Sequence, residues 1–387
     1  MSNDIFKNLF VLELANNHWG SLERGIKIIR DHGKIVRHNK VKAAIKLQFR
    51  DVDNFIHDSF RGSEEIRYIK KTEATKLSIS DFEKMILEIK NQGCIPMATP
   101  FDEKSVELCE KFNLPMIKIA SSDLNDWPLI EAIALTGKPV IASTGGSSEK
   151  DIDDIYNFFK KRRIPLALNH CVSLYPSEDR DLELSQIDYF KEKFPDIVIG
   201  FSTHEYHDWS SSMLMSYAKG ARTWERHIDI DYSGVPVSNY CSLPEQVDTW
   251  FKAFHKAQEM CGTSSHEKRI PSVAEVDYLN ALVRGIYAKT DLPKGTEISK
   301  ENFSKYFHLA IPLLKGQLSC REVVNGLKIT ADVKKEEPLM ISHVDGPYAE
   351  TESLRNLILS RGIDVEDKNK STIKKNQTET TGTQLQN

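Results

Sequence analysis

The sequence has no run of about 18 apolar residues, the length that a membrane-spanning helix needs. It does not begin with a basic segment followed by an apolar stretch, so we expect no secretory signal. The formal net charge is −4 in 387 residues, which provides no basic surface for nucleic acid or an anionic membrane. These absences predict a cytoplasmic protein that binds neither nucleic acid nor a membrane.

Cysteine pairs are also missing. The six cysteines are scattered along the chain, and none forms a C-x-x-C motif. Such a distribution is typical of reduced thiols, and it argues against both a disulfide framework and a structural zinc site.

Short apolar runs alternate with helical patterns over roughly the first 230 residues. The predicted strands are 9–14, 42–48, 94–99, 116–121, 139–144, 165–171, 197–202 and 222–227. This alternation predicts an α/β fold with a parallel sheet, and eight strands close a (β/α)8 TIM barrel. An open doubly wound sheet is the rival fold. It would be favoured by G-x-G-x-x-G after the first strand, where the sequence instead reads NNHWG.

Composition changes after the barrel predict a second, smaller domain. A helix at 244–261 is expected to close a barrel that spans 1–262. We predict a linker at 263–282, a small β-rich domain at 283–346 and a largely disordered polar tail at 347–387. Within the barrel, a charged and irregular insert at 50–80 is expected to act as a lid or substrate wall.

Polar side chains occupy nearly every C-terminal strand end, and in a barrel these ends share one active-site mouth. The residues are Glu13, Lys46, Gln48, Thr99, Lys118, Ser121, Asp123, Ser143, Thr144, His170, Ser173, Ser202, His204, Glu225 and His227. Lys46 and Lys118 lie inside apolar runs, where an unpaired ammonium is costly. A phosphate or carboxylate ligand would compensate them. A neighbouring carboxylate is the alternative, such as Asp123 for Lys118 or Glu13 for Lys46.

Two histidines end consecutive predicted strands. His204 and His227 would lie side by side, and neutral imidazoles are good ligands for divalent metals. His170 could be a third ligand, and the spacing alone does not choose between two and three. Each histidine taken alone could instead be a hydrogen-bonded core residue. Glu13, at the end of the first strand, is placed to act as a general acid or base.

Longer motifs carry a family resemblance. They are LELANNHWGS (12–21), IKLQ (45–48), the block at 97–148 that begins MATPFDEKSV, LNHCVSLYPSEDRDLELSQI (168–187), IGFSTHEY (199–206) and WERHID (224–229). Through them the barrel resembles the N-acetylneuraminate (sialic acid) synthase family, the phosphoenolpyruvate-condensing enzymes that make nonulosonic acids. The segments at 289–303 and 325–339 are similar to the antifreeze-like (SAF) domain of these synthases. The resemblance therefore implies a domain-swapped homodimer in which this domain caps the partner's barrel.

The resemblance also implies roles for individual residues. Phosphoenolpyruvate would be held by Lys46, Thr99, Lys118, Ser121, Ser143 and Ser202. A divalent metal, Mn²⁺ or Mg²⁺, would be bound by His204 and His227, without His170, and Glu13 would be the catalytic glutamate. Gln48, Asp123 and Tyr175 would contact the acceptor sugar.

Departures from the family pattern concentrate on the acceptor side. The family usually has glutamate at the position of Asp123 and asparagine at that of Ser173. The stretch at 232–242 lacks the aspartate of the family's P-G-P-D turn, and 305–316 lacks the arginine of its R-P-G turn. Losing such a polar partner costs on the order of 1–3 kcal/mol, enough to change substrate preference. We therefore expect an acceptor other than N-acetylmannosamine.

The predicted function is a metal-dependent condensation of phosphoenolpyruvate with an aldose, which yields a nonulosonic or other 2-keto-3-deoxy acid and phosphate. Three alternatives stay open. One is a synthase for a phosphorylated aldose, for which Arg50 and Arg61 in the insert offer positive charge. The second is an aldolase that forms a Schiff base through Lys118. The third is a catalytically silent sugar-binding relative.

Overall fold

The structure is a computed structural model, and it describes residues 3–262 and 267–364. Its internal contacts divide the chain into two compact units, Met1–Thr263 and Ser264–Asn387. Each unit has its own apolar core.

Within residues 3–262, eight parallel strands close into a barrel in sequence order. They are β1 (Leu9–Ala15), β2 (Lys42–Phe49), β3 (Ile95–Pro100), β4 (Ile117–Ile119), β5 (Val140–Ser143), β6 (Leu166–Cys171), β7 (Val198–Thr203) and β8 (Thr223–His227). β1 pairs with both β2 and β8, which closes the sheet. The predicted (β/α)8 barrel is confirmed, and the predicted strand ends differ from the observed ones by at most two residues.

Helices follow the strands around the outside of the sheet. They are α1 (Leu22–Asn39), α2 (Val52–Phe55), α3 (Arg67–Ala74), α4 (Ile79–Asn91), α5 (Glu103–Lys111), α6 (Trp127–Leu135), α7 (Glu149–Arg162), α8 (Ser185–Lys193), α9 (Ser211–Lys219) and α10 (Pro244–Cys261). The insert is less irregular than predicted, because α2 and α3 form within it. α10 has the predicted bounds and ends before Gly262, whose φ is +71°.

An aromatic cluster attaches α10 to the barrel. Phe10 on β1 contacts Trp250, Phe251 and Phe254 edge-on, with ring centroids 4.9, 4.8 and 5.0 Å away, and stacks against Trp224 at 5.3 Å. Burying each of these side chains stabilises the fold by roughly 1.5–3 kcal/mol. The helix therefore seals the junction where β8 meets β1.

Side chains alternate between the two faces of each strand, and this alternation places the polar strand ends inside the barrel. Leu9 and Val11 belong to the inner apolar cluster, and Glu13 follows them at the same spacing of two. Lys46 follows the inner residue Ala44 in the same way. The pattern repeats with Met97 before Thr99, Met116 before Lys118 and Ile141 before Ser143. The apolar floor of the barrel thus ends in a layer of charged and hydroxyl side chains.

A buried ion pair on the outer side of the sheet connects β7 and β8. Arg226 Nη1 lies 2.9 Å from Glu205 Oε1, and Arg226 Nε donates to Ser242 Oγ at 2.6 Å. The arginine and glutamate side chains are 0% and 1% exposed. Glu205 follows His204 directly, and Arg226 precedes His227. The ion pair therefore fixes the two strand ends that carry these histidines.

We expect Arg226→Met to lower the free energy of unfolding of the barrel unit by about 3–5 kcal/mol, because it leaves the Glu205 carboxylate buried and unpaired. Urea denaturation followed by tryptophan fluorescence measures this. Adding Glu205→Gln removes the orphaned charge and should recover part of the loss. The exposed pair Lys150–Asp154 provides the control, where Lys150→Met should leave the urea midpoint nearly unchanged. Equal losses in the single and double variants would contradict the assignment.

The second unit is small and β-rich, as predicted. Its elements are α11 (Val273–Asn280), β9 (Gly285–Ala288), β10 (Glu297–Ile298), α12 (Phe303–Tyr306), β11 (Phe307–Ala310), β12 (Leu327–Lys328), α13 (Pro347–Glu350) and α14 (Glu352–Leu359). β9 pairs antiparallel with β11, and β10 pairs antiparallel with β12. α11 lies in the segment predicted as a linker. Within the tail predicted as largely disordered at 347–387, the structure forms α13 and α14, and the positions beyond 364 lie outside the described residues.

In the described ranges, no helix is both long and apolar enough to cross a membrane.

The six cysteines are free thiols, and four of them are buried. Burial raises the pKa of the Cys94 thiol to about 11 and that of Cys109 to about 12, so both remain protonated at neutral pH.

Candidate active site

Two lysines and two glutamates meet inside the top of the barrel. Lys46 Nζ contacts the Glu13 carboxylate and lies 3.5 Å from Glu225 Oε1. Lys118 Nζ donates to Glu225 Oε2 at 2.9 Å. None of the four side chains is more than 7% exposed. Their formal charges cancel, which compensates the cost of burying them; we call this group the charge quartet.

The charge quartet shows which carboxylates form ion pairs with the two lysines. Lys46 has the Glu13 partner that the sequence left as an alternative. For Lys118, the alternative partner Asp123 is wrong, since Glu225 and the Ser143 hydroxyl occupy its ammonium.

The electrostatic balance of the charge quartet favours an added anion. Burial lowers the pKa of Lys46 to about 7, and attraction to Glu225 offsets this only in part. Burial acts to raise the pKa of Glu225, but the ammoniums of Lys118 and Lys46 outweigh it and hold the pKa below its ordinary value. A further negative charge near Lys46 would stabilise its ammonium at neutral pH. Burial therefore makes the Lys46 ammonium costly, and an anionic ligand beside it would reduce that cost.

Hydroxyl groups surround the two ammoniums. Lys46 Nζ donates to Thr99 Oγ1 at 2.8 Å, and Lys118 Nζ donates to Ser143 Oγ at 2.6 Å. Ser202 is buried on β7 and is paired with Glu225 in the β7–β8 register. The structure thus brings these predicted anion-binding residues into one layer. Hydroxyls beside ammoniums suit the binding of a phosphate or carboxylate group.

Gly145 packs closely against two serines beside this layer. Its N–H donates to Ser121 Oγ at 3.0 Å. A Cβ atom at this position would lie 2.9 Å from Ser121 Oγ and would overlap the Ser173 hydroxyl. A side chain at this position would displace both hydroxyls, so glycine lets the turn between β5 and α7 pack closely against Ser121 and Ser173.

His204 and His227 stand next to each other, with ring centroids 5.4 Å apart. His204 Nδ1 lies 2.9 Å from the Val172 carbonyl and donates to it, which leaves the Nε2 lone pair available. Among the described residues, the buried His227 Nδ1 has no hydrogen-bond partner. Burial lowers the pKa of His204 to about 4 and that of His227 well below its ordinary value, so both rings are neutral.

These two imidazoles fit a divalent metal. Each is neutral with an unshared nitrogen lone pair, and a carbonyl fixes the tautomer of His204, as in many metal sites. Over the described ranges, no group of three or more His, Cys, Asp or Glu side chains is arranged to hold a metal. His170 Nε2 instead bonds the Leu182 carbonyl at 2.8 Å, and its ring stacks on Phe201. Of the two open alternatives, the geometry favours the one with two ligands.

The three predicted acceptor residues lie around the same mouth. Gln48 Nε2 donates to Glu13 Oε1 at 3.1 Å. The Tyr175 ring lies 4.1 Å from the His204 ring, between centroids. Asp123 follows β4 in a short 3-10 turn, and its Oδ2 is buried without a partner in the described structure. Burial raises the pKa of Asp123 to about 6.

From the sequence, Glu225 is one of the polar strand ends but has no assigned role, Arg50 is only a source of charge for a second phosphate, and Gly145 is not identified. Glu225 had a usable signal, because it precedes His227 by two on one strand and so faces the same side. Arg50 donates through Nη1 to Gln48 Oε1 at 2.9 Å, at the edge of the mouth. Arg61, the other candidate for a second phosphate, pairs with Asp58 on the surface and is 42% exposed.

Comparisons with known proteins cover both units. The NeuB family model matches residues 38–266, and the SAF domain model matches residues 283–345. An uncharacterised protein of Methanocaldococcus jannaschii is 30% identical over 299 residues, which cover 76% of this chain and 83% of that protein. A pseudaminic acid synthase of Campylobacter jejuni is 29% identical over 306 residues, which cover 76% of this chain and 86% of that synthase. A crystal structure of a Chromobacterium violaceum protein, described as spore coat polysaccharide biosynthesis protein E, is also similar. Its TM-score is 0.81 at 34% sequence identity, and the match covers 88% of this chain and 100% of that protein.

Proposed function

This chain belongs to the NeuB family, and we propose that it condenses phosphoenolpyruvate with an aldose to give a nonulosonic or related 2-keto-3-deoxy acid and phosphate. The resemblance to sialic acid synthases that the motifs predicted is confirmed at the level of the family. The observation that carries the proposal is the charge quartet with its hydroxyl layer. It offers two buried ammoniums to a ligand that carries both a carboxylate and a phosphate.

Lys46 and Lys118 would hold and orient phosphoenolpyruvate. Their ammoniums neutralise its two anionic groups, and Thr99 and Ser143 fix the direction in which each ammonium points. Ser121, whose hydroxyl accepts from the Gly145 N–H, would add a hydroxyl contact to the phosphate. Fixing the enol in this way supplies proximity and charge stabilisation rather than covalent chemistry.

Glu13 is the residue that we assign to proton transfer. C3 of phosphoenolpyruvate attacks the aldehyde carbon and forms the new C–C bond, which leaves C2 electron-poor. Water adds at C2 and gives up a proton, and the new alkoxide takes one up. The C2–O bond to phosphate then breaks as the C2 hydroxyl passes its proton to the departing phosphate, which leaves the 2-keto group. Glu13, held by Lys46 and by the Gln48 amide, can carry the proton from the water to the alkoxide.

His204 and His227 would hold a divalent metal, Mn²⁺ or Mg²⁺. When bound, the metal supplies Lewis-acid polarisation of the acceptor's aldehyde oxygen. The Val172 carbonyl orients the His204 ring, and Tyr175 and Tyr240 pack over the two histidines and exclude water.

Phosphate release tests the proposed function. Purified protein is incubated with phosphoenolpyruvate, Mn²⁺ and a panel of aldoses, and the product mass is determined. We expect phosphate release that requires an aldose. Release without an aldose, or none with any hexose, pentose or acylamino hexose, would contradict the proposal and favour a silent relative. Borohydride with pyruvate should not trap Lys118, whose ammonium is paired with Glu225.

We also propose that the protein works as a homodimer. In the second unit, α11 exposes a set of apolar side chains, namely Val273, Val276, Tyr278 and Leu279, at 76%, 39%, 68% and 51%. Clustered exposed apolar residues mark interaction surfaces. Light scattering of the purified chain would measure its mass, and a monomer at assay concentration would contradict the assembly but not the reaction.

Gly145→Ala is expected to raise the KM for phosphoenolpyruvate by about tenfold or more, because the methyl group enters the space between Ser121 and Ser173. Steady-state kinetics measure this, with the KM for the aldose as the internal reference. Adding Ser173→Ala removes the hydroxyl that the methyl group overlaps and should restore much of the affinity. A double variant as impaired as the single one would argue against a steric cause.

A further inference from the structure

A cavity of about 330 Å³ lies between the insert and the barrel mouth. Its wall combines the polar side chains of Gln48 and Arg50 with residues of the insert, α4 and α5. We call it the insert cavity. Gln48, one of its walls, also donates to the catalytic candidate Glu13. A ligand whose reacting carbon lies near Glu13 could therefore place a side group in the insert cavity.

Arg50 is positioned in the wall of the insert cavity as a hydrogen-bond donor. Its guanidinium stacks on Phe101 at 3.5 Å from the ring centroid, which fixes its plane. Of its N–H groups, Nη1–H bonds Gln48 Oε1, and the described residues bond none of the others. Burial lowers the pKa of Arg50 to about 10, so it is charged at neutral pH. The Arg50 guanidinium is therefore held in place with N–H groups that can donate hydrogen bonds to an oxygen of a ligand.

The charges around Arg50 favour a neutral oxygen over a phosphate dianion. The other two lysines in the wall are paired, Lys76 with Asp53 at 2.6 Å and Lys104 with Asp51 at 3.3 Å. Arg50 is thus the one unpaired cation among the described lining residues. Carboxylates of Asp123 and Asp102 also act on it electrostatically. A dianion beside Arg50 would meet this negative charge with a single cation to balance it, whereas a carbonyl oxygen would not.

The size and lining of the insert cavity favour a hydrocarbon group beyond that carbonyl. Val52, Leu77, Ile79, Phe82 and Leu108 supply apolar surface. The volume has room for on the order of ten water-sized groups, far more than an acetyl group fills.

We propose that the insert cavity binds the acyl chain of an acylamino aldose, longer than acetyl, with the amide carbonyl accepting from Arg50. This rests on the proposed function, since it names the class of acceptor for the same site. It makes Arg50 a residue that determines specificity from within the barrel unit.

A series of 2-acylamino-2-deoxyhexoses with acetyl, butanoyl and hexanoyl groups tests the proposal by kinetics. The free 2-amino sugar and a 6-phosphorylated hexosamine complete the series. We expect kcat/KM to rise about three- to fourfold with each added methylene until the insert cavity is full. The phosphorylated sugar should have no advantage over its unphosphorylated counterpart.

Variants at the guanidinium separate recognition from a general structural role. Arg50→Met should raise the KM for the butanoyl sugar by about ten- to hundredfold. It should leave the KM for phosphoenolpyruvate little changed and should impair the acylated sugars about tenfold or more beyond any effect on the free amino sugar. Arg61→Met is the matched control, because that guanidinium lies on the same insert, pairs with Asp58 and is exposed. An equal loss for acylated and unacylated sugars in Arg50→Met would overturn the proposal.

Binding without reaction keeps the two proposals distinguishable. The alditol of the butanoyl sugar lacks the aldehyde and cannot react, so calorimetry measures its binding directly. Binding that depends on Arg50 and on chain length supports the inference even if no aldose is turned over. Turnover of aldoses without any dependence on the acyl chain overturns the inference and leaves the condensation intact. A phosphorylated sugar that binds best and needs Arg50 would overturn it in favour of an anion subsite.

Discussion

Replacing Glu13 with glutamine is expected to lower kcat by about a hundred- to ten-thousandfold, the range over which positioned acids and bases act. The amide keeps the shape of the side chain and its hydrogen bond from Gln48 but cannot accept the proton of the attacking water. The change also removes one negative charge from the neutral charge quartet, which leaves Lys46 partly unbalanced. Phosphoenolpyruvate should therefore bind more tightly while turnover falls.

Tighter phosphoenolpyruvate binding together with lower turnover distinguishes loss of proton transfer from general damage to the site. Calorimetry measures phosphoenolpyruvate binding, and phosphate release measures turnover. Glu107→Gln on the exposed face of α5 serves as the control and should change neither. Weaker binding together with lower turnover would mean that the substitution damaged the anion site. Unchanged turnover would rule out Glu13 as the proton carrier.

Loss of either metal-ligand candidate is expected to be nearly as severe. His204→Ala and His227→Ala should each reduce kcat by about a hundred- to thousandfold, because a bound metal contributes several kcal/mol of charge stabilisation. Each variant should also lose Mn²⁺ binding, since the described residues hold no third candidate that could replace a missing imidazole. Mn²⁺ titration by calorimetry reports this loss independently of activity.

His207, three residues after His204 in the sequence, provides the control for the metal experiment. His207 pairs with Asp179 and is 41% exposed, so His207→Ala should keep both metal binding and turnover. Removing metal from the unmodified protein with EDTA should abolish turnover, and Mn²⁺ should restore it. Full activity after chelation, or unchanged Mn²⁺ affinity in both variants, would contradict the metal proposal.

The sequence predicted the barrel well because eight short apolar runs alternate with helical segments along the chain. The spacing of two from Leu9 to Glu13, and from Ala44 to Lys46, identifies the interior face without knowledge of the fold's details. Strand ends in a barrel converge by topology, so the list of polar strand ends contained most members of the candidate site.

The pairing inside the barrel was harder to predict. Lys118 and Glu225 are 107 residues apart, on β4 and β8, which are not neighbouring strands. Nothing local to either residue indicates the other, whereas Asp123 lies close to Lys118 in sequence and suggested the wrong partner. The arginines of the insert show the same limit, because Arg50 stacks on Phe101, which is distant in sequence, whereas Arg61 pairs with its neighbour Asp58.

The electrical neutrality of the charge quartet has a consequence for selectivity among small anions. A mouth with two bare ammoniums would attract inorganic phosphate, sulfate and nucleotides without discrimination. Here the two glutamates occupy the ammoniums in the resting protein, so a simple anion must compete with a carboxylate that is already in place. A ligand with two anionic groups at the right separation can engage both lysines at once and gains what a single anion cannot. We therefore expect the resting site to bind inorganic phosphate more weakly than phosphoenolpyruvate.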